Sequence, residues 1–113
     1  MSRDLPKGDI PILILTVLDQ GPCHGYAIAR EIERQSGQSL RMREGSLYPA
    51  LRVLEQEELV TSEWETVSSG PARKVYRITE TGRGDLKKRV KSWKKYVKTI
   101  TGLLGGLSDA SSA

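Results

Sequence analysis

The stretch from residue 45 to residue 78 constrains the fold of this chain more than any other. Pro49 lacks a backbone N–H, so it fits an α-helix best in the first turn, where amide groups have no partner within the helix. We therefore expect a helix that begins near Gly45 or Ser46, with the Ser46 side chain as its N-terminal cap. From there, apolar side chains recur at helical spacing on one side: Leu47, Ala50, Leu51 and Leu54.

The other side of this helix is polar and carries one aromatic ring and one cation. Its residues are Ser46, Tyr48, Pro49, Arg52 and Gln56. Several of them lie in the N-terminal half, where the helix dipole and the free N–H groups attract phosphate. The helix alone fits two interpretations, an ordinary amphipathic surface helix or a helix that binds phosphate, and the neighbouring segments decide between them.

A β-hairpin is predicted directly after this helix. Residues 59–67 are rich in β-branched side chains, and Trp64 lies between two glutamates in the alternation that a half-buried strand shows. Residues 68–71, with the sequence Ser-Ser-Gly-Pro, supply the turn. Residues 73–78 then return as the second strand.

The return strand brings cations to the hairpin. Arg73 and Lys74 lie next to its tip, so we expect them to reach a phosphate or the minor groove of DNA while Tyr76 stays in the core. A helix followed by a basic hairpin is the outline of a winged helix, which predicts a DNA-binding protein. The alternation places Lys74, Tyr76 and Ile78 on one face of the strand and Arg73, Val75 and Arg77 on the other.

The first predicted helix is apolar on more than one side. Asp9 is a suitable N-terminal cap, Pro11 falls in the first turn, and the helix runs to Asp19. Such a helix needs two partners, so we expect it to pack on its own core and on a second subunit. The predicted buried face comprises Ile10, Leu13, Ile14, Val17 and Leu18, with Ile12 and Leu15 on the other side.

A second helix is predicted from His24 to the stop signal at Ser36 and Gly37. Tyr26 lies in its first turn, where we expect a further phosphate contact. Residues 40–43 alternate between apolar and basic, which predicts a short strand paired with the hairpin. The inner face of this helix comprises Ile28, Ala29 and Ile32.

The last helix, capped by Thr79, combines a heptad seam with a basic exterior. So long a seam exceeds what a small core can cover, and we expect it to meet another subunit. Gly102 and the glycines after it end the helix near Thr101. The basic side chains fit either a solvated exterior or a surface for DNA or an acidic partner. The seam residues are Leu86, Val90, Trp93, Val97, Ile100, Leu104 and Leu107.

Together these elements predict an α+β, mainly helical fold, namely a winged helix-turn-helix with an added C-terminal dimerisation helix. We expect a winged-helix DNA-binding domain over residues 8–78, a dimerisation helix over residues 79–101 and a flexible tail over residues 102–113.

The net charge of +4 is unevenly distributed along the chain. Residues 1–78 carry −1 and residues 79–113 carry +5. The winged helix must therefore sort its cations onto one face if it is to bind DNA. We expect a phosphate-facing side with Arg41, Arg43, Arg52, Arg73, Lys74 and Arg77, and an acidic back with Glu55, Glu57 and Glu58.

Several classes of protein are disfavoured by what the sequence offers. One cysteine, Cys23, and one histidine, His24, are too few for an internal disulfide or a zinc site. With neither a nucleophile and base set nor a Gly-rich phosphate loop, we expect no enzyme, metal or cofactor. Cys23 fits either small apolar packing or a redox sensor.

We also expect a cytoplasmic protein without membrane contact. No apolar run approaches the roughly 20 residues that span a bilayer. Asp4 and Asp9 precede the longest apolar run, unlike a signal peptide.

Several separated motifs carry a family likeness, among them residues 24–26 (His-Gly-Tyr), residues 45–51 (Gly-Ser-Leu-Tyr-Pro-Ala-Leu), residues 62–64 (Ser-Glu-Trp) and residues 70–82, which include Arg-Lys-Val-Tyr-Arg-Ile-Thr. In this order they resemble the PadR family of bacterial transcriptional regulators. The resemblance implies a winged helix-turn-helix dimer, usually a repressor, that is joined through its last helix and often released from DNA by a small molecule.

In some short members of that family, a tryptophan on the last helix lines a flat apolar cavity at the dimer interface. Trp93 occupies the comparable place here. Lys91, Lys94 and Lys95 surround it, which favours an anionic or neutral aromatic ligand over a cationic one. A tryptophan in a seam also fits simple packing, so both interpretations stay open.

The sequence therefore predicts a dimeric repressor that binds an inverted-repeat operator and is released by a small aromatic ligand. The alternative is a winged-helix adaptor that binds proteins without sequence-specific DNA binding. For DNA we expect contacts from Tyr26, Ser46, Tyr48, Pro49, Arg52, Arg73 and Lys74. For the dimer interface we expect Leu13, Val17, Leu86, Val90, Trp93, Val97 and Ile100.

Overall fold

A computed structural model describes residues 3–66 and 68–105 of the chain. The helices are α1 (Ile10–Gln20), α2 (Gly25–Gln35), α3 (Glu44–Gln56) and α4 (Glu80–Leu103), with a short 3-10 helix at Lys7–Asp9. The strands are β1 (Arg3–Asp4), β2 (Cys23–His24), β3 (Leu40–Arg41), β4 (Val60–Glu65) and β5 (Arg73–Ile78). The predicted α+β, mainly helical winged helix-turn-helix is confirmed. No helix within this described part is both long and apolar enough to cross a membrane.

Helix α1 lies at the centre of the core and contacts α2, α3, α4 and β5. This central position corrects the prediction for Leu15, which was expected on the outer side but is fully buried. The predicted inner face of α2 is confirmed. The largest fully buried side chains are Ile14, Leu15, Leu18, Ile28, Leu47, Leu51, Leu54 and Val60.

Two residues that we expected at a dimer interface belong to the core of the protomer itself. Val17 is 5% exposed and Leu86 is 8% exposed, and both are part of the main apolar cluster. Because the first part of α4 packs on α1, the first seam residues, Leu86 and Val90, contact the core of the protomer, and the seam is exposed only after Val90. These two assignments to the interface are therefore wrong.

The strands form two small sheets. Strand β5 lies between β2 and β4 in an antiparallel sheet, and β1 pairs with β3 in parallel. The prediction that residues 40–43 pair with the hairpin is wrong. Leu40–Arg41 pairs with Arg3–Asp4 instead, and Cys23–His24 takes the edge of the hairpin. The hairpin occupies β4 and β5 as predicted, except that β4 is shorter than residues 59–67, of which residue 67 lies outside the described part.

The start of α4 is fixed by a cap and by a close approach. Thr79 caps the helix as predicted, because its Oγ1 accepts a hydrogen bond from the Gly82 N–H at 2.9 Å. A Cβ on Gly82 would lie 2.1 Å from the carbonyl oxygen of Leu59, so only glycine lets α4 begin this near the end of α3. Arg83 then bonds Asp19 at the end of α1, at 3.1 Å.

Beyond the core, α4 projects from the molecule, whose dimensions are 59 × 32 × 21 Å. The helix continues to Leu103, slightly past the predicted end near Thr101. Of the predicted flexible tail, residues 106–113, including Leu107 of the seam, lie outside the described residues.

Candidate nucleic-acid interface

Helix α3 begins earlier than its proline suggested. Its first residue is Glu44, and Arg43 takes the capping position without a side-chain hydrogen bond. The carbonyl of Arg43 accepts bonds from the backbone N–H groups of Ser46 and Leu47, both at 3.0 Å. The prediction of Ser46 as cap is therefore wrong. Pro49 lies in the second turn and gives no N–H to the carbonyl of Gly45, which is tolerable because Gly45 is exposed.

A groove of about 500 Å³ opens between the start of α2, one side of α3 and the hairpin β4–β5, which we call the wing. It gathers five of the seven residues that the sequence predicted for DNA contact. Ser46 and Pro49 are not among its lining residues. The lining side chains include Tyr26, Tyr48, Arg52, Glu55, Trp64, Arg73, Lys74 and Tyr76.

Exposed aromatic rings mark this groove. Large aromatic side chains are usually mostly buried, but Tyr26 is 52% exposed and Tyr48 is 41% exposed. A Cβ on Gly25 would lie 2.9 Å from Cε1 of Tyr48, so the absence of a side chain at Gly25 lets the Tyr48 ring pack on the start of α2. This contact sets the first turn of α2 against α3.

The two faces of the wing differ from the prediction. Trp64 was expected to be half-buried, but it is 68% exposed. Val75 was placed on the outer face with the arginines, but it is buried at 7% exposure. The reason is that β5 is the central strand of its sheet, and Val75 pairs with His24 of the added strand β2.

Most of the cations that we assigned to a phosphate-facing side have carboxylate partners. Arg41 and Arg43 bond Asp4 at 3.2 and 3.1 Å, Arg77 bonds Glu63 at 3.3 Å, and the Lys74 ammonium lies 3.8 Å from Glu55. Arg52 and Arg73 have no carboxylate within 4.0 Å in the described part of the chain. The prediction that Glu55 belongs to an acidic back is wrong, because it lines the groove.

Asp4 makes a contact near the start of α3 that the sequence did not indicate. Hydrogen bonds from Arg41 and then Arg43 hold the pKa of its carboxyl below the usual range. These arginines flank the start of α3, so Asp4 connects the N-terminal strand to the entrance of that helix. The contact spans 37 residues of sequence, and no local pattern signals it.

His24 and Cys23 occupy strand β2 at the base of the wing. His24 Nε2 lies 3.3 Å from Glu65 Oε1, which connects the start of α2 to the end of β4. Burial, and then the charge of Glu31, raises the pKa of the Cys23 thiol. A thiol that stays protonated favours packing over the redox-sensor interpretation.

A second, apolar groove of about 530 Å³ lies between α1, α4 and the segment after β1. Leu13, Val90 and Trp93 line it, as do Leu5 and Pro6, which the sequence did not suggest. Trp93 is 48% exposed, and Val97 further along α4 is 36% exposed. Unlike Val17 and Leu86, these predicted interface residues are available at the surface of the protomer.

Three helices around one core, followed by a hairpin whose cations share a groove with α3, define a winged-helix protein of the nucleic-acid-binding class. The model of the transcriptional regulator PadR-like family matches residues 14–88. The chain belongs to this family, and it is a DNA-binding transcriptional regulator rather than an enzyme.

Individual relatives agree with this assignment. The chain is 30% identical to the transcriptional regulator Rv3488 of Mycobacterium tuberculosis, over 96% of this chain and 95% of that protein. A solved transcriptional regulator from Clostridium thermocellum superposes with a TM-score of 0.79 at 27% identity, covering 85% of this chain and 90% of that one. A PadR-like transcriptional regulator from Bacillus cereus gives a TM-score of 0.72 at 31% identity, covering 87% and 93% of the two chains.

Proposed function

We propose that this protein is a dimeric repressor that binds an inverted-repeat operator, with residues 8–78 on DNA and residues 79–101 joining the two subunits. The observation that carries the proposal is the groove in which the start of α2, the exposed side of α3 and the wing meet. Within it, Arg52 and Arg73 are cations without a carboxylate partner in the described part of the chain, so they are available to phosphate. Helix α3 would enter the major groove while the wing follows the adjacent backbone.

The dimer would form through the apolar side of α4. Trp93, Val97 and Leu104 are 48%, 36% and 49% exposed, an arrangement that leaves apolar surface in water along much of the helix. A second copy would cover this surface together with Leu13 on α1. Ile100 continues the same seam. A twofold axis through the interface would set the two α3 helices about one DNA turn apart, roughly 34 Å, which matches an inverted repeat.

The DNA contacts are tested by the salt dependence of binding. Arg52→Ala and Arg73→Ala should each reduce the slope of log K against log salt by about 0.9 per lost phosphate contact on duplex DNA. Arg34→Ala is the matched control, because Arg34 lies at the far end of α2 and bonds Glu31. Fluorescence anisotropy with inverted repeats from the region upstream of the coding sequence gives the slopes.

A shuffled duplex of the same composition separates the two candidate functions. A repressor should prefer the inverted repeat at physiological salt. Equal binding to repeat and shuffled duplexes, with unchanged slopes in both arginine variants, would instead support a protein-interaction adaptor.

We further propose that a small aromatic ligand binds against Trp93 and changes the separation of the two DNA-binding heads. Lys94 lines the same apolar groove, which favours an anionic or neutral ligand. In a Trp64→Phe background, tryptophan emission reports Trp93 alone, because the chain has two tryptophans. Aromatic carboxylates should change this emission and weaken operator binding. If a broad panel of aromatic compounds changes neither Trp93 emission nor operator binding, the ligand proposal is contradicted, and the repressor proposal stands without it.

A further inference from the structure

One face of the wing is turned toward α3. The strand register pairs Ser62 with Tyr76 and Trp64 with Lys74, so these four side chains occupy adjacent positions on one face of the hairpin. Glu55, in the last turn of α3, meets this face. Its Oε2 accepts a hydrogen bond from Ser62 Oγ at 2.7 Å, and its Oε1 lies 3.8 Å from the Lys74 ammonium.

The Lys74 ammonium is also placed over two aromatic rings. It lies 5.9 Å from the centroid of Trp64 and 5.8 Å from that of Tyr76, distances at which a cation is attracted to the ring face. All three neighbours of Lys74 lie on the side of α3. Arg73 is the next residue along the strand and also lines the groove, but no carboxylate among the described residues lies within 4.0 Å of its guanidinium. The two adjacent cations of the wing thus have different surroundings.

The outer part of the wing has few other contacts with the helices; among the described residues, one is the 3.3 Å contact between His24 Nε2 and Glu65 Oε1. Trp64 is 68% exposed, and the described residues from 65 to 73 are exposed as well. A hairpin that is not buried keeps a fixed angle to its neighbour only through specific contacts. Here the contacts that join the wing to α3 are the ones that Glu55 makes with Ser62 and Lys74 across the groove.

We propose that Glu55, Ser62 and Lys74 form a wing clasp that sets the angle of the wing relative to α3. In this arrangement Lys74 is a positioning residue, and Arg73 alone of the two cations contacts a phosphate. The inference rests on the proposed DNA binding, and it reverses the role that the sequence suggested for Lys74. It also explains why an acidic residue, Glu55, lies inside the groove that is proposed to bind DNA.

The salt dependence of operator binding distinguishes a positioning lysine from a phosphate contact. Arg73→Ala should lower the slope by about 0.9, as one lost phosphate contact does. Lys74→Ala should weaken binding about two- to fivefold, in line with an exposed ion pair, and leave the slope unchanged. A slope for Lys74→Ala that falls as far as that for Arg73→Ala would overturn the assignment.

A charge exchange provides the second test, because it keeps the total charge of the protein constant. Lys74→Glu places two carboxylates across the groove and should weaken binding more than Lys74→Ala does. Adding Glu55→Lys restores an ion pair of reversed orientation and should return the affinity to within about twofold of the wild type. A double variant as weak as Lys74→Glu alone would show that the lysine itself is needed at position 74.

A third measurement needs no DNA, so it separates failure of the clasp from failure of the proposed function. In a Trp93→Phe background, Trp64 is the only tryptophan. Lys74→Ala and Glu55→Gln should both increase acrylamide quenching of Trp64, whereas Arg73→Ala should not. Circular dichroism confirms that each variant is folded. Unchanged quenching in both clasp variants would overturn the proposal. Increased quenching in a protein that binds no operator would support the clasp and contradict the proposed repressor function.

Discussion

At the scale of single residues, the positions that depend on local pattern were predicted more successfully than the contacts that depend on a distant partner. The exposed positions of Tyr26, Tyr48 and Arg52 follow from helical periodicity, and all three line the groove. The partners of the cations were missed. His24 and Glu65 are 41 residues apart, and a contact at that separation is decided by the tertiary fold, which a single sequence does not display.

The stability that the Asp4 carboxylate contributes should depend on pH, which provides a test at the scale of one residue. Because the Arg41 and Arg43 bonds lower the pKa of Asp4 in the folded protein, the ionised carboxylate stabilises the fold. This contribution is fully present above the usual aspartate pKa of about 4 and is lost as the pH falls through the lowered folded value. Asp4→Asn should therefore reduce the free energy of unfolding at pH 7 and have less effect at pH 2.5 or so.

Urea denaturation at the two pH values measures the Asp4 effect. Glu57→Gln is the control, because Glu57 is exposed and makes no ion pair among the described residues. A destabilisation by Asp4→Asn that is equally large at both pH values would contradict an origin in the carboxylate charge.

Gly82 and Gly84 form a matched pair in the first turns of α4. A Cβ on Gly82 would meet the Leu59 carbonyl oxygen at 2.1 Å and Ile78 Cγ1 at 2.8 Å, whereas a Cβ on Gly84 meets nothing within 4 Å. Gly82→Ala should lower the free energy of unfolding by about 1–3 kcal/mol through overpacking. Gly84→Ala should raise it by about 0.5–1 kcal/mol through helix propensity. Thermal unfolding of both variants is the measurement, and equal effects of the same sign would be inconsistent with this packing.

At the scale of elements, the sequence predicted which segments are helices and strands better than it predicted where they begin and what they pair with. The Thr79 cap and the return strand were placed correctly because their signals are local. The start of α3 was misjudged because Pro49 has a strong preference for a first turn, but α3 tolerates it one turn later, where the affected carbonyl is exposed. Residues 40–43 were given the wrong partner because alternation indicates a strand and not its neighbour.

Thr79, which caps α4, and Ser46, which was predicted to cap α3 but does not, make this difference measurable. Thr79 Oγ1 accepts from Gly82 N–H and donates toward the Glu58 carbonyl, so Thr79→Ala should lower the free energy of unfolding by about 1–2 kcal/mol. Ser46 makes no capping bond, so Ser46→Ala should change the free energy of unfolding by less than about 0.5 kcal/mol. Chemical denaturation compares them. A cost for Ser46→Ala as large as that for Thr79→Ala would restore Ser46 as the cap of α3.

At the scale of the whole molecule, the two grooves share no lining residue. Charged and aromatic side chains line the groove between α2, α3 and the wing, and mainly apolar side chains line the groove between α1 and α4. In the proposed arrangement, substitutions should therefore alter DNA contact and subunit contact separately. The sequence predicted the seam that runs along α4, but it could not show that Leu86 at its start is covered by the protomer's own α1, because a heptad pattern does not say which helix fills it.

Val97 provides the sharpest test of assembly, because it belongs to the seam but lies outside the core of the protomer. Val97→Glu should leave the circular dichroism unchanged and produce a monomer at micromolar concentration, since burying an unpaired carboxylate in an apolar interface is costly. Thr99→Glu introduces the same group two residues away on an exposed part of the same helix, and it should remain a dimer. Sedimentation velocity measures both.

Operator binding then connects assembly with function. A dimer binds both halves of an inverted repeat at once, so its affinity gains from the effective concentration of the second head. The Val97→Glu monomer should lose this gain and bind one-half and two-half operators with equal affinity per half-site. Because the DNA groove is untouched, its salt slope per half-site should match that of wild type. A wild-type protein that sediments as a monomer, or a monomeric variant that still distinguishes two half-sites from one, would contradict the twofold arrangement on which the repressor proposal depends.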